Sequence, residues 1–308
     1  MKTGIKKTVT CPGRASRAGC FLVLFLLAGW LATSAQAGVV FTNLYSFPTG
    51  PNRAGNPVAG LVQGNDGYLY GTSQSGNGTV FQISTNGVLT NLYSFSYPGT
   101  GPNGLVQGSD GYLYGTTLGG GNYGAGSVFK VSTSGTLTNL VSFRGGQSAD
   151  GGPLYPGTAL VQGSDGVLYG TSSGFQEGCC HEYEFYGGVF LINTNGMYLG
   201  DSFLYLESPS ALVQGSDGYL YGTTYGGGSS NNGTVFTLGG VFYSFTGTND
   251  GANPVGALVQ GTDGCLYGVT AFGGSKGYGT VFQFTTNGVL TSLYSFTSVV
   301  SHNCLSFF

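Results

Sequence analysis

Five aspartates at one recurring position are the first residues in the chain that could do chemistry. They are Asp66, Asp110, Asp165, Asp217 and Asp263, each followed by glycine. Carboxylates bind calcium, but Ca²⁺ takes about six to eight oxygens, commonly from several carboxylates in one loop. Each of these sites offers one carboxylate, which fits an aspartate that hydrogen-bonds its own backbone. We therefore predict that the five aspartates are structural turn residues.

A second set of reactive side chains is the run Cys179-Cys180-His181-Glu182, in an insertion within the third of five repeats. Cysteine, histidine and glutamate together could coordinate zinc. Successive cysteine side chains diverge, however, and the usual two-to-four-residue spacing between zinc-binding cysteines is missing. An oxidised vicinal pair, or a bridge to Cys304, suits an exported protein at least as well. We assign no metal site.

No arrangement of residues identifies a catalytic site. A Ser–His–Asp arrangement would have to use His181 or His302, and neither lies in a supportive context. Glycoside hydrolysis needs two carboxylates that face one bond. Glu182 or Glu184 with Asp150 is the cluster that could supply them. We predict no catalytic residue and no cofactor.

These residues are positioned by a sequence repeat that occurs five times. Its core reads LVQGNDGYLYGT from Leu61 and recurs from Leu105, Leu160, Leu212 and Leu258. Successive copies are about 44 to 55 residues apart. A repeat of this length, built from short strands and turns, is typical of a propeller blade. We predict an all-β, propeller-like array of about five four-stranded antiparallel blades.

Four strands are predicted in each repeat, with hairpin turns between the first and second and between the third and fourth. Asp-Gly and Asn-Gly dipeptides there favour two-residue hairpin turns, because they tolerate positive φ angles. The closing Tyr-Ser-Phe strand occurs once more, in Val39–Phe47, before any complete repeat. Two interpretations follow: the array has a spare strand at one edge, or it is a longer array that has been cut short.

The N-terminal segment differs from the repeats. Residues 1–37 combine lysines and arginines, a short apolar run over 21–32 and Ala35-Gln36-Ala37, a pattern typical of a secretory signal peptide. The apolar run is shorter than the roughly 20 residues that span a bilayer. We predict a signal peptide at 1–37, a propeller at 38–296 and an irregular tail at 297–308, in a secreted, periplasmic or extracellular protein without a membrane span after cleavage.

Charge argues against nucleic acid as a partner. The chain has 9 basic and 12 acidic residues, and five of the basic ones lie in the predicted signal peptide. Cleavage would leave four basic residues against twelve acidic ones, a net charge of −8. Nucleic-acid binding depends on basic side chains that displace counterions from phosphates. The mature chain lacks such a basic patch.

The repeat resembles the Gloeo_Verruco, or GloVer, tandem repeat of exported bacterial proteins. The resemblance rests on the segment from Thr246 to Gly268, with Gly279–Gln283 and Leu293–Phe296, and it extends over roughly residues 39–296. It implies a repeat protein with a signal peptide and a C-terminal surface-sorting segment. No such sorting segment follows Phe296 in this sequence. The resemblance transfers no catalytic residue.

Loop lengths indicate where a ligand would bind. The connections between second and third strands, and between consecutive repeats, are long and variable and lie on one rim. Binding residues concentrate on such loops. We name Tyr155, Tyr183 and Tyr186 as contact candidates there. We predict a monomeric, non-enzymatic module that binds polysaccharide or a cell-surface protein, with a glycan-acting hydrolase or lyase, or a truncated inactive array member, as alternatives.

Overall fold

The computed structural model describes residues 43–47, 55–96, 100–144, 152–176 and 186–297. Within these residues all regular secondary structure is β, in five sheets that follow one another along the chain. We call the sheets blades 1 to 5. The predicted signal peptide and all but the first residue of the predicted tail lie outside the described residues.

The strand bounds follow the repeat. Blade 1 contains β1 (Val62–Gln63), β2 (Leu69–Ser73), β3 (Thr79–Ile83) and β4 (Leu89–Ser94). Blade 2 contains β5 (Pro102–Gln107), β6 (Leu113–Thr117), β7 (Ser127–Val131) and β8 (Leu137–Ser142). Blade 3 contains β9 (Gly152–Pro156), β10 (Val161–Gln162), β11 (Leu168–Gln176), β12 (Tyr186–Ile192) and β13 (Tyr198–Leu206). Blade 4 contains β14 (Val213–Gln214), β15 (Leu220–Thr224), β16 (Thr234–Thr237) and β17 (Gly240–Ser244). Blade 5 contains β18 (Ala252–Gln260), β19 (Leu266–Phe272), β20 (Thr280–Phe284) and β21 (Leu290–Ser295).

The fifth strand of blade 3 is part of an interrupted first strand. Strands β9 and β10 both pair antiparallel with β11, just as the single strand β18 pairs along β19 in blade 5. Pro156 opposes Ser172 in the same register in which Pro254 opposes Thr270. All five blades therefore share one four-stranded antiparallel plan, which confirms the predicted fold class.

The hairpin turns are one residue longer than predicted. In blade 2, Gly108 N donates to Tyr112 O and Gly111 N donates to Gly108 O, which leaves three residues in the loop. Gly111 alone takes a positive φ, of 84°. A turn followed by a left-handed glycine bulge is the common three-residue hairpin. Glycine is needed at the bulge because of this positive φ, whereas the aspartate before it contributes hydrogen bonds through its side chain.

The hydrophobic core lies between neighbouring blades. Each of four buried clusters contains side chains of two consecutive blades, and together they join blades 1 to 2, 2 to 3, 3 to 4 and 4 to 5. A phenylalanine that follows the fourth strand packs edge-on against a phenylalanine in the third strand of the next blade. Such pairs are Phe95–Phe129, Phe143–Phe190 and Phe245–Phe282, with ring centroids 5.1 to 5.4 Å apart.

Residues 43–47 pack against blade 1 as a fourth strand would. Phe47 lies 5.3 Å from Phe81 between ring centroids, which repeats the contact between blades. Leu44 approaches Gly87 as Leu92 of blade 1 approaches Gly135 of blade 2. The segment is not itself a strand, because no third strand lies beside it among the described residues. Residues 43–47, the described part of the extra fourth strand predicted at 39–47, thus make the packing contacts of a fourth strand.

Candidate functional site

The five repeated aspartates are turn residues, as predicted. In every blade the aspartate Oδ1 accepts a hydrogen bond from the backbone N two residues later, at 3.0 to 3.2 Å. Oδ2 accepts a second bond, at 2.5 to 2.7 Å, from the hydroxyl of the tyrosine four residues later. The pairs are Asp66–Tyr70, Asp110–Tyr114, Asp165–Tyr169, Asp217–Tyr221 and Asp263–Tyr267. Both carboxylate oxygens are therefore used within the blade.

Sequence reasoning missed the tyrosine partner, although the spacing of four between aspartate and tyrosine recurs in all five repeats. Burial first, and then the bond to Asp165, raise the pKa of Tyr169 to about 12. The same two causes, in the same order, raise the pKa of Tyr70, Tyr114 and Tyr221 further above their ordinary range. The phenols are thus held protonated in the folded protein.

We expect alkaline pH to destabilise the protein through these pairs. A tyrosine in the unfolded chain ionises near pH 10, whereas Tyr169 in the folded chain ionises near 12. Because the folded pKa is the higher one, the stabilisation is complete below about pH 10 and is lost as the pH rises towards about 12. We expect the free energy of unfolding, measured by urea denaturation, to be markedly lower at about pH 11 than at about pH 8.

The matched variant is Tyr169→Phe, which cannot ionise and should show a smaller difference between the two pH values. Tyr219→Phe, which changes an exposed tyrosine on the same rim, should behave like the unaltered chain. Equal free energies of unfolding at the two pH values would contradict this expectation.

The rim that carries these turns is further occupied by bonds between blades. A glutamine in the first strand of each of blades 2 to 5 reaches the turn of the preceding blade. Gln107 Oε1 accepts from Asn65 N at 3.0 Å, and Gln214 Oε1 accepts from Ser164 N at 2.9 Å. Gln260 Nε2 donates to Ser216 Oγ at 3.0 Å. We conclude that the short-turn rim is structural and look to the opposite rim for a site.

On the long-loop rim, each blade begins with a left-handed residue before a proline. Tyr155 has a φ of 53° ahead of Pro156, and Asn56, Ser208 and Asn253 have φ of 51° to 59° at the equivalent position. Positive φ is unfavourable for a large side chain such as tyrosine. The Tyr155 backbone is held by bonds to Ala125 O and from Ser173 Oγ. Its side chain is 45% exposed and free to meet a ligand.

None of the three tyrosines predicted as ligand contacts is tested by these observations. Tyr186 is the first residue of β12, and Tyr183 lies outside the described residues. Asp150, Glu182 and Glu184, which could form a carboxylate pair, lie outside them as well. So do the reactive residues Cys179 to His181. Cys265, by contrast, is described, and it is a half-exposed free thiol.

Glu207 is exposed on the long-loop rim, and among the described acidic residues it is the one whose carboxylate accepts no hydrogen bond. It follows β13 and immediately precedes Ser208. Its backbone O accepts from Gly226 N, and Ser208 O accepts from Tyr225 N, at 3.3 and 3.2 Å. These two bonds place Tyr225, which is 43% exposed, next to Glu207. Glu207, with a free carboxylate, and Tyr225, with an exposed ring, therefore lie on paired backbone segments.

Two segments, Gly170–Gly174 and Gly273–Gly277, have the Gly-x-Ser-x-Gly sequence of a hydrolase nucleophile elbow, but neither forms one, since no helix occurs among the described residues. Such an elbow needs a sharp strand-to-helix turn that exposes the serine. Ser172 instead lies inside β11, is fully buried, and donates from Oγ to Gly174 O at 2.9 Å. Its hydroxyl is committed to the fold. Among the described residues, no three His, Cys, Asp or Glu side chains group as ligands for a metal ion.

Comparison with solved structures supports the propeller architecture. The chain is similar to a candidate gluconolactonase, with a TM-score of 0.50, 16% identity and 78% of each chain covered. It is also similar to a gluconolactonase of Xanthomonas campestris, with a TM-score of 0.50, 18% identity, and 78% of this chain and 76% of that one covered. The PQQ-bound aldose sugar dehydrogenase of Streptomyces coelicolor gives a TM-score of 0.49 at 12% identity, covering 77% and 81%. No curated protein matches the chain.

The fold thus defines an all-β protein of the β-propeller class, built from five four-stranded blades. The chain belongs to the family of the Gloeobacter/Verrucomicrobia repeat, which matches residues 28–205 and 186–306. The family membership confirms the resemblance found in the sequence. Across the residues described, no helix is long and apolar enough to traverse a bilayer.

The prediction of a non-enzymatic binding module is wrong by this comparison. The structures that share the fold are described as gluconolactonases, which agrees better with the predicted alternative of a glycan-acting hydrolase or lyase. The sequence led to the non-enzymatic prediction because no set of catalytic residues recurs with the repeat. Identities of 16 and 18% establish the fold alone, so an activity of this chain enters only as a proposal.

Proposed function

We propose that the chain is a hydrolase that acts on a sugar lactone, with its site on the long-loop rim at blades 3 and 4. The observation that carries this proposal is the fold shared with gluconolactonases over 78% of the chain. The free carboxylate of Glu207 supports it from within the structure, because the other described carboxylates are engaged in hydrogen bonds.

Among the described residues a single carboxylate is free, which favours lactone hydrolysis over cleavage of a glycosidic bond. Glycosidases need an acid and a second carboxylate at a defined separation. A lactone can be opened with one general base. Glu207 would take a proton from water as the water oxygen attacks the lactone carbonyl. The ring C–O bond then breaks, and the proton passes to the departing oxygen, which releases a hydroxy acid.

The aromatic side chains of this rim would contact the sugar. A tyrosine ring offers an apolar face and a hydroxyl that can form hydrogen bonds at its edge. Tyr225 lies beside Glu207 through the backbone bond to Ser208. Tyr155 is exposed on the equivalent loop of blade 3. The proposal places the sugar ring against one of these two tyrosines, with its carbonyl towards Glu207.

The test is hydrolysis of glucono-lactone by the purified chain, followed as acid release in a pH-stat. We expect Glu207→Gln to lower kcat/KM by about 100-fold, since loss of a general base removes that order of rate enhancement. Asp66→Asn removes the same charge on the opposite rim and serves as the matched control, with activity unchanged. Reducing-end release from a polysaccharide panel, measured in parallel, would reveal glycan cleavage instead.

Two outcomes would overturn the proposal. One is the absence of acid release above the uncatalysed rate by the folded, unaltered chain. The other is full activity of Glu207→Gln, which would mean that Glu207 is not the general base.

A further inference from the structure

Each contact between neighbouring blades repeats the same set of interactions. At the junction of blades 4 and 5, Leu258 packs in one buried cluster with Tyr221. Pro254 lies so close to Gly233 that a Cβ there would come within 2.5 Å of the proline Cδ. Pro156 and Pro209 contact Gly126 and Gly187 in the same way at the two preceding junctions. Every junction thus joins two different faces. The face of one blade that carries the tyrosine and the glycine, Tyr221 and Gly233 in blade 4, is called the donor face. The face of the next blade that carries the proline and the leucine, Pro254 and Leu258 in blade 5, is called the acceptor face.

Blade 5 presents a donor face that nothing covers among the described residues. Val269 is 40% exposed, whereas the residues at its position in blades 1 to 4 are at most 1% exposed. Phe296 is 40% exposed, whereas its counterpart Phe245 is fully buried. Val281 and Tyr267 are also more exposed than their counterparts in the other blades. Gly279 has no proline against it, unlike the equivalent glycines of blades 1 to 4.

Blade 1 presents the matching acceptor face. Leu61 is 47% exposed, whereas Leu105, Leu160, Leu212 and Leu258 at the same position are 3 to 7% exposed. Pro57 and Gln63 are exposed as well. Residues 43–47 cover the outer part of this face through Phe47 and Phe81. The inner part, with the proline, leucine and glutamine that form each internal junction, is open.

We propose that the blade 5 face of one copy of this chain binds the blade 1 face of a second copy. The pairing continues an interface that the chain already forms four times, with Leu61 taking the place of Leu258 and Tyr267 that of Tyr221. Residues 43–47 hold the position on Phe81 that β21 and Phe296 of the incoming blade 5 would take, so they leave it when the two copies join. Pro57 would lie against Gly279, and Gln63 would reach the turn at Thr262. The proposed head-to-tail assembly is an alternative to the monomer expected from the sequence.

The interface joins two different patches, so it is heterologous and leaves one free face at each end. A dimer therefore retains the capacity to add further copies, and assembly should grow with concentration. This property separates the proposal from a symmetric dimer, in which one patch binds itself and growth stops at two. It is also independent of the proposed activity.

Light scattering after size exclusion, across a concentration series, tests the proposal. We expect the unaltered chain to form dimers and larger species as its concentration rises. Leu61→Asp and Val269→Asp should each stay monomeric, because each places a charge in one of the two faces. An equimolar mixture of the two variants should form dimers and nothing larger, since one intact face of each kind remains.

Val88→Asp, which changes a side chain that is 62% exposed on a hairpin turn, is the control and should assemble normally. Circular dichroism of each variant would establish that the strands are retained. A chain that stays monomeric at every concentration would overturn the proposal. Assembly that persists in both face variants, or a mixture that grows beyond dimers, would overturn it as well.

Discussion

Phe245→Ala should lower the free energy of unfolding by about 3 to 5 kcal/mol, the usual cost of truncating a buried phenylalanine. The side chain is fully buried between blades 4 and 5, where it meets Phe282 at 5.3 Å and Tyr243 at 5.4 Å. Removing the ring leaves a cavity lined by side chains of both blades. Urea denaturation at low protein concentration measures the change.

Phe296→Ala provides the matched comparison. The residue occupies the same position of the repeat in blade 5 and keeps the ring contact with its neighbouring tyrosine, Tyr294, at 5.2 Å, but it is 40% exposed. We expect a loss of less than about 1 kcal/mol, because surface substitutions have small effects. Equal losses for the two variants would mean that the blade 5 face is covered in the isolated chain.

Gly170→Ala should destabilise the protein by about 3 kcal/mol, the upper part of the range for an overpacked core. Gly170 lies in β11, where Phe190 and Leu160 pack directly over its Cα. An added Cβ would come within 2.7 Å of Phe190 Cε2 and 2.8 Å of Leu160 Cδ2. Both neighbours are buried in the cluster that joins blades 2 and 3, so neither can move away without displacing others.

Gly157→Ala is the control in the same blade. Its nearest neighbour for an added Cβ is Tyr155 O at 3.9 Å, an ordinary contact. We expect a change within about 0.5 kcal/mol, as for most exposed positions. Thermal or urea unfolding of the two variants side by side gives the comparison. A tolerated Gly170→Ala would show that the space between the blades is larger than the structure has it.

The architecture could be predicted from the sequence because each repeat carries its own strand and turn signals. The alternation of exposed Tyr112 and buried Tyr114, and the glycine of each turn, are local properties that five copies reinforce. The structural role of the aspartates could be predicted for the same reason, since Asp110 bonds a backbone N two residues away.

The candidate site could not be predicted in this way, because it depends on residues that differ between repeats. Glu207 follows a fourth strand and lies beside Tyr225, which belongs to the next repeat. Their proximity comes from the antiparallel pairing that begins blade 4, where Pro209 opposes Thr224, and neither residue type recurs at its position in the other repeats. The tyrosine partner of each aspartate was present in the repeat, but its bond required the hairpin to be one residue longer than predicted.

The glutamine that crosses from each blade to the preceding turn has a consequence for how such an array changes over time. Gln107, Gln162, Gln214 and Gln260 each bond the turn of their own blade and that of the preceding one, and no more distant unit, so no unit depends on its absolute number in the series. Duplication or loss of one whole repeat by recombination would therefore preserve the contacts of every remaining neighbour. Arrays built this way can change length in single-blade steps without a redesign of the core.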